Sequence, residues 1–265
     1  MIRFFTPERR KTAGHWLAEL VIVVAGVLIA LYAQQWDSDR KSKKRGAEAE
    51  ERIRVEIASN ARVQLERLAI HACLRDRLKT IADKIRHGDN NWDALVFQPD
   101  GTSLWTFPRI YRAPSRNYGS DAFQGAVSSG AIEVMEPGRQ VGLGGMYRQY
   151  AKAAEINREE YAFAAQLDAL TLGEPLDPAE KQRILATVAL LDRYNGLSAL
   201  IARQSLTNMK SLGFWPTPKE LLSWMKYVNG NDTRRGGTTI ARERETYGNC
   251  VDPSGFDIEK QARPL

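Results

Sequence analysis

WLAELVIVVAGVLIALYAQQW, residues 16–36, is the stretch on which the organisation of this chain depends. Between positions 17 and 33 every residue except Glu19 is apolar or small. At the rise of an α-helix the stretch is roughly 30 Å long, which matches the hydrocarbon core of a bilayer. Tryptophan at both ends is typical of the two membrane–water interfaces. The stretch therefore predicts one transmembrane helix over residues 16–36.

A buried helix of a soluble domain and a cleaved signal peptide are the two alternatives for such a stretch. A buried helix of this length without a polar face is unusual in a domain of this size. A signal peptide ends in small residues of the A-x-A type, whereas this apolar run ends in AQQWD. Both comparisons favour an uncleaved membrane anchor.

Three positions inside the anchor could contact another helix or the membrane interface. Glu19 lies about one turn from the first tryptophan, so its carboxylate either reaches the interface or marks a functional position. Gly26 and Ala30 form a small-xxx-small pair that allows a second helix to approach closely. The candidate anchor and helix-contact residues are Trp16, Glu19, Gly26, Ala30 and Trp36.

The net charge of +6 is concentrated immediately after the anchor. Residues 40–86 contain 14 Lys or Arg against 7 Asp or Glu, an excess that accounts for the whole net charge. Basic residues next to a membrane span are attracted to anionic lipid headgroups. No nucleic-acid-binding motif accompanies them. The sequence therefore predicts headgroup contacts rather than nucleic acid, through Arg40, Lys41, Lys43, Lys44 and Arg45.

The basic residues that flank the anchor nearly balance, with 4 Lys or Arg before it and 5 in the cluster after it. The positive-inside rule therefore decides little. A short basic N-terminal tail, residues 1–15, followed directly by an apolar span is the usual form of a signal anchor. We expect the tail inside a bacterial inner membrane and the C-terminal domain in the periplasm. Cys73 and Cys250 either pair there or are ordinary buried thiols.

The rest of the chain is expected to be mainly α, with a helical-bundle-like domain over residues 37–228. Long helices are predicted at about 46–87, 139–170 and 178–212, because good helix formers recur there with helical spacing and no stretch alternates with the period of a strand. In a strict heptad that starts at Ile53, the polar residues Asn60, Gln64 and Arg67 would lie on the seam. This pattern favours packing within one domain over a long dimeric coiled coil.

Turn residues divide the remaining segments. Asp177 and Pro178 predict an N-cap and a first helical residue. Short helices are expected over 120–127 and 219–227, with Gly130 in a left-handed turn between the first of these and the next element. Residues 229–265 are rich in Gly, Asn and Arg and predict an irregular tail.

A long aromatic loop lies between the first two long helices, and arginines are interleaved with its aromatic residues. Loops of this length either form a functional surface or pack over the core, and packing is the more common role for aromatic loops in helical domains. If the loop binds a ligand, the candidate residues are Trp105, Arg109, Tyr111, Arg112 and Arg116.

Two stretches resemble a bacterial family of single-pass membrane proteins. ELVIVVAGVLIALYAQQW, residues 19–36, is similar to the E-x-x-x-V-V-x-G-x-L-I-A-L anchor of that family, which is followed by Trp and a basic helix. AFQGAVSSGAIEVMEPGRQVGLGGMYRQYA, residues 122–151, is similar to its second hallmark, an aromatic residue, a Ser-Gly pair and a Tyr-containing helix. The resemblance implies membrane anchoring and a helical domain. The family has no assigned activity, so the resemblance implies no catalytic residue.

Motifs for catalysis, metal binding and cofactor binding are missing from the sequence. It contains no HExxH, GxSxG, CxxC or Walker motif, and the GLGG string at 142–145 has neither the spacing nor the flanks of a phosphate loop. We therefore expect no catalytic residue, no metal and no cofactor.

Three functions follow in order of preference. The first is a membrane-anchored binding or accessory protein that acts through a membrane-protein partner or self-association. The second is a receptor-like helical domain that binds a small ligand, for instance an anion, under the loop at 92–118. The third is a membrane-anchored enzyme.

Overall fold

The protein is mainly helical in a computed structural model that describes residues 7–95, 109–114, 116–217, 247 and 250–261. Four helices of at least two turns make up most of it: α1 (Pro7–His87), α2 (Asp121–Ser128), α3 (Pro137–Ala164) and α4 (Pro178–Ser211). A short helix, α5 (Ile258–Gln261), lies near the C-terminus, and short 3₁₀ segments occur at Asp93–Leu95, Ala131–Val134, Ala165–Leu172 and Pro253–Phe256. No β-strand occurs in these described ranges.

Helix α1 is 81 residues long and continues without a break from the apolar stretch into the domain. The sequence places a separate helix at 46–87, but the polar segment 37–45 is helical as well. This segment contains no Pro or Gly, and the ion pair Lys41–Asp37 (2.6 Å) links successive turns. Gly46 stays helical because Val134 packs directly against it. The helix ends at Gly88, where a φ of +74° suits glycine.

Helices α1, α3 and α4 form the bundle, and α4 packs against both of the others. Residues Ile53, Ile57 and Leu65 of α1 are completely buried, whereas Val55 on the opposite face is 62% exposed. The side chain of Asn195 in α4 donates to the carbonyl of His71 in α1 (3.0 Å). On its other side α4 meets α3, where Asn208 donates to Gln149 (2.9 Å). The bundle thus has one central helix with a partner on each side.

The ends of α3 and α4 follow from local chemistry. Pro178 occupies the first turn of α4, and Asp177 and Glu180 form a reciprocal capping box. Glu136 caps α3 by accepting from the backbone N–H groups of Gly138 and Arg139. Where the sequence places one helix over 139–170, α3 tightens after Ala164 into a 3₁₀ turn that ends at Gly173.

Residues 109–114 and 116–119, here called the strap, lie along α1 and close one side of the bundle. Ile110 and Tyr111 are completely buried. The amide of Asn60 donates to the carbonyl of Gly119 (2.9 Å) and accepts from its N–H (2.8 Å). The described part of the predicted aromatic loop is therefore packed against the core.

The C-terminal residues 250–261 also pack on α1, although the sequence predicts an irregular tail over 229–265. Cys250 forms a disulfide with Cys73, and their Cα atoms are 5.2 Å apart. The N–H of Asp252 donates to the carbonyl of Ala69 (2.7 Å), and Phe256 is buried. Apolar residues spaced among polar ones hold this segment down, which composition does not reveal. The predicted helix at 219–227 lies outside the described residues.

Gly255 tests the packing of the C-terminal segment. A Cβ at this position would overlap the backbone of Ala69. We expect Gly255→Ala to lower the free energy of unfolding by about 1–3 kcal/mol, since backbone atoms cannot move aside easily. Urea unfolding followed by circular dichroism measures the change.

Gly196→Ala is the matched control. It lies in the interior of α4 with open space around it, so alanine should raise the free energy of unfolding by about 0.5–1 kcal/mol. Wild-type stability of Gly255→Ala would mean that the C-terminal segment does not pack on α1.

Candidate functional site

The N-terminal part of α1 exposes apolar side chains around its whole circumference. The large apolar residues between positions 20 and 36 are all exposed, from 47% at Val24 to 76% at Tyr32. This part is long and apolar enough to cross a membrane. Helix α4 passes the same test, but 39% of its apolar window is buried inside the bundle. Only α1 therefore combines the required length with a fully exposed apolar surface among the helices in the described ranges.

The predicted anchor and headgroup residues lie in this exposed region. Trp16, Glu19 and Trp36 are exposed, and a side chain at Gly26 would meet nothing within 4 Å. Also exposed are Ala30 and the basic cluster Arg40, Lys41, Lys43, Lys44 and Arg45. The burial of one face of α1 begins at Gly46 and Ala49.

The predicted ligand residues of the loop are each engaged by a different protein partner. Arg109 donates to the hydroxyl of Tyr161 (2.9 Å) and lies over its ring. The guanidinium of Arg112 lies 5.7 Å from the ring centre of Tyr247. The remaining described pair, Tyr111 and Arg116, bonds to Glu160 and Glu66 respectively. Trp105 lies outside the described residues. These contacts support packing of the strap, the role that the sequence favours for the loop.

A buried ion pair connects α1 to α3 beneath the strap. Arg67 and Glu160 are 3% and 0% exposed, and Nη2 of Arg67 donates to Oε1 of Glu160 (2.7 Å). The hydroxyl of Tyr111 donates to the same oxygen (2.7 Å). Burial and the Glu160 carboxylate raise the pKa of Tyr111 well above its usual range. Burial lowers the pKa of Arg67, but Glu160 outweighs it and the net direction is upward. The phenol and the guanidinium therefore both keep their protons.

Two further carboxylates of α1 organise the elements around it. Glu66 accepts from Arg116 (3.0 Å) and from the hydroxyl of Tyr247 (3.0 Å). Glu56 accepts from the N–H groups of Ala122 (2.9 Å) and Phe123 (3.3 Å) and so caps the start of α2. It also accepts from the hydroxyl of Tyr147 in α3 (2.6 Å). Glu56 thus fixes two aromatic elements relative to α1.

The elements that Glu56 holds enclose an open cleft of about 530 Å³ between the strap, α2 and α3, here called the aromatic cleft. The rings of Phe123 and Tyr147 stack with centres 4.2 Å apart, and those of Tyr118 and Tyr150 stack at 5.5 Å. Tyr147 and Tyr150 meet edge to face at 5.4 Å. Burial raises the pKa of Tyr118 to about 12, so its hydroxyl is neutral at physiological pH. The cleft is large enough for a small organic molecule.

Arg148 is the charged residue of the aromatic cleft, and no sequence pattern singled it out. It is exposed, and its guanidinium lies back over Gly144 and Gly145, where a side chain would meet it at 3.5 and 3.9 Å. The glycines of the GLGG string therefore make room for this arginine. Most cleft residues fall in the stretch 122–151 that carries the second half of the family resemblance, which was the only sequence indication of this site.

Titratable groups elsewhere do not assemble a metal site in the described part of the chain. No group of three or more His, Cys, Asp or Glu side chains is placed to hold a metal ion there. His71 is half-buried, and burial lowers the pKa of its imidazole. Its neighbour Cys73 is in the disulfide.

Comparison with protein-family models, curated proteins and solved structures finds no match for this chain. The resemblance to single-pass bacterial membrane proteins stays a prediction. The class of protein that the fold defines is a helical bundle built on one very long helix with an exposed apolar end.

Glu160→Gln tests the buried ion pair. The variant leaves the Arg67 guanidinium buried without a counter-charge, so we expect the free energy of unfolding to fall by about 3–5 kcal/mol. Arg67→Met combined with Glu160→Gln removes the unpaired charge and should recover part of that loss. Urea unfolding measures both variants, with exposed Glu174→Gln as the control. Equal stability of Glu160→Gln and the control would show that the charge is not buried.

Proposed function

We propose that this protein is a single-pass, membrane-anchored helical binding or accessory protein, which acts through protein contacts at the membrane. The observation that carries the proposal is the exposed apolar surface of α1, which is continuous with a helix of the folded core. A soluble protein has no partner for such a surface, whereas lipid tails cover it completely. The basic residues after Trp36 would then lie at the level of the headgroups.

The disulfide supports an orientation for the anchored domain. Disulfides form and persist in oxidising compartments such as the bacterial periplasm, and are rare in the cytosol. Cys73 and Cys250 lie far apart in the sequence, with a separation of 177 residues, and their bond ties the C-terminal segment to α1. We therefore place residues 1–15 in the cytoplasm and the bundle in the periplasm of a bacterium with an inner membrane.

Action through a membrane partner is supported by the surface of the anchor itself. Glu19, Gly26 and Ala30 share one face of α1, because their spacings of seven and four residues correspond to whole helical turns. A side chain at Gly26 would meet open space, so a second helix could approach the backbone there. The partner would be another membrane helix or a second copy of this chain.

Anchoring and orientation can be tested together in a bacterial host. The full chain should stay in the membrane after an alkaline carbonate wash, while a variant with Ile22→Arg, Ile29→Arg and Leu28→Arg should be released, since charges in the bilayer centre are costly. Matched substitutions Ile22→Val, Ile29→Val and Leu28→Val should remain bound.

External protease should digest the bundle of the full chain only after the outer membrane is opened. Release of the full chain by the carbonate wash would refute anchoring. Protection of the bundle until the inner membrane is broken would refute the orientation.

Recognition by the anchor can be tested separately. We expect Glu19→Gln combined with Gly26→Leu and Ala30→Leu to remove at least about nine-tenths of the crosslinked complex recovered in mild detergent, because leucine prevents close helix approach. Val21→Leu combined with Val24→Leu, on the opposite face, is the control and should leave recovery unchanged. Undiminished recovery of the triple variant would mean that the anchor is only a tether.

Small-ligand binding by the bundle is a second candidate function, and the aromatic cleft is the observation that favours it. The sequence suggested a site at the arginines of the loop, but Arg109 and Arg116 are engaged by Tyr161 and Glu66. The cleft instead offers a shaped, aromatic surface open to solvent. Its location shifts the candidate site from the loop to α2 and α3.

A further inference from the structure

The walls of the aromatic cleft are held in place before any ligand arrives. Tyr147 is fixed through its hydroxyl by Glu56, and its ring is covered on one side by Phe123. Tyr118 is fixed by stacking on the buried ring of Tyr150. Because these side chains are already ordered, a ligand that contacts them loses little of its binding free energy to ordering the protein.

The shape of the cleft favours a flat ligand. The two stacked pairs each have ring planes only 9° apart, and small residues Ala151 and Ala154 of α3 line the cleft beside them. Aromatic rings bind other rings by offset stacking or by edge-to-face contact. An aromatic ligand can make both kinds of contact here.

The charge of the cleft favours an anion. Arg148 is the charged residue of the lining, and no carboxylate lies among the described residues that line the cleft. The nearest carboxylate that contacts a lining residue, Glu56, already accepts three hydrogen bonds from Tyr147, Ala122 and Phe123. A ligand carboxylate beside Arg148 would therefore gain a charge-assisted hydrogen bond without facing an unpaired negative charge.

From this geometry we propose that the aromatic cleft binds a small aromatic carboxylate, whose ring lies against Tyr147 and Tyr118 and whose carboxylate pairs with Arg148. The proposal rests on the second candidate function, small-ligand binding, and is independent of membrane anchoring. It names a ligand class and a polar contact at a place where the sequence predicted neither.

Isothermal titration calorimetry of the full chain in dodecyl maltoside tests this proposal, with 2-naphthoate as the probe and protein-free micelles as the blank. We expect saturable binding at one site per chain. Arg148→Gln should weaken binding about tenfold, the usual cost of removing one charge-assisted hydrogen bond. Arg158→Gln, which removes the same charge from an exposed position on α3, should leave the affinity unchanged.

Two further arms separate the ring from the carboxylate. The neutral 2-naphthamide should bind about tenfold more weakly to the wild type, and Arg148→Gln should not weaken it further, since the contact is already absent. Cyclohexanecarboxylate keeps the charge but loses the ring and should bind more weakly than 2-naphthoate. Ala151→Trp fills the cleft from an exposed position and should abolish binding while unfolding of the variant stays cooperative.

The outcomes distinguish the ligand class from the function on which it rests. Equal affinity for 2-naphthoate and 2-naphthamide would overturn the aromatic carboxylate but keep the cleft as a small-molecule site. Binding that survives Ala151→Trp would overturn the location. No heat above the micelle blank with either naphthyl probe would overturn both the ligand class and small-ligand binding at this cleft, and anchoring would still be decided by the carbonate wash.

Discussion

Helix α1 satisfies two different surroundings along one uninterrupted backbone, and the rest of the structure depends on how it does so. Its N-terminal part exposes apolar side chains all round, whereas from Ala49 onward one face is buried. The elements around α1 are fastened to this second part: α4 through Asn195, α2 through Glu56 and the C-terminal segment through Cys73. A helix of this length is stable because tertiary packing, rather than intrinsic propensity, supplies most of the stabilisation.

The polar residues on the buried face of α1 give the bundle its specific arrangement. Arg67 is compatible with burial only where Glu160 meets it, and Asn60 only where Gly119 supplies both a donor and an acceptor. These pairings fix the position of the strap and of α3 along α1. An entirely apolar face would allow neighbouring registers of similar energy, so we attribute the choice of register to these contacts.

If α1 spans a membrane, the rigid continuation of the helix has a consequence for the aromatic cleft. Glu56, which holds the cleft, lies about 30 Å along the helix from Trp36 at the rise of an α-helix. The cleft would then face the aqueous space beyond the headgroups, and its occupant would arrive from solution. Since Glu56 and the anchor belong to one helix, a displacement of α2 or α3 at the cleft acts directly on the helix that enters the bilayer.

Local patterns in the sequence by themselves determine much of this protein. The uniform apolarity of 16–36, the helix formers of α1, the cap at Asp177 and the turn at Gly130 are properties of neighbouring residues, so they are visible in the sequence. The helical continuity through 37–45, the pairing of Cys73 with Cys250 and the burial of Phe256 were decided by the tertiary structure. So was the aromatic cleft, because Tyr118, Phe123 and Tyr147 come together only when the strap, α2 and α3 converge on Glu56. Contacts between residues distant in sequence depend on which faces pack together, and residue spacing along one segment does not contain that information.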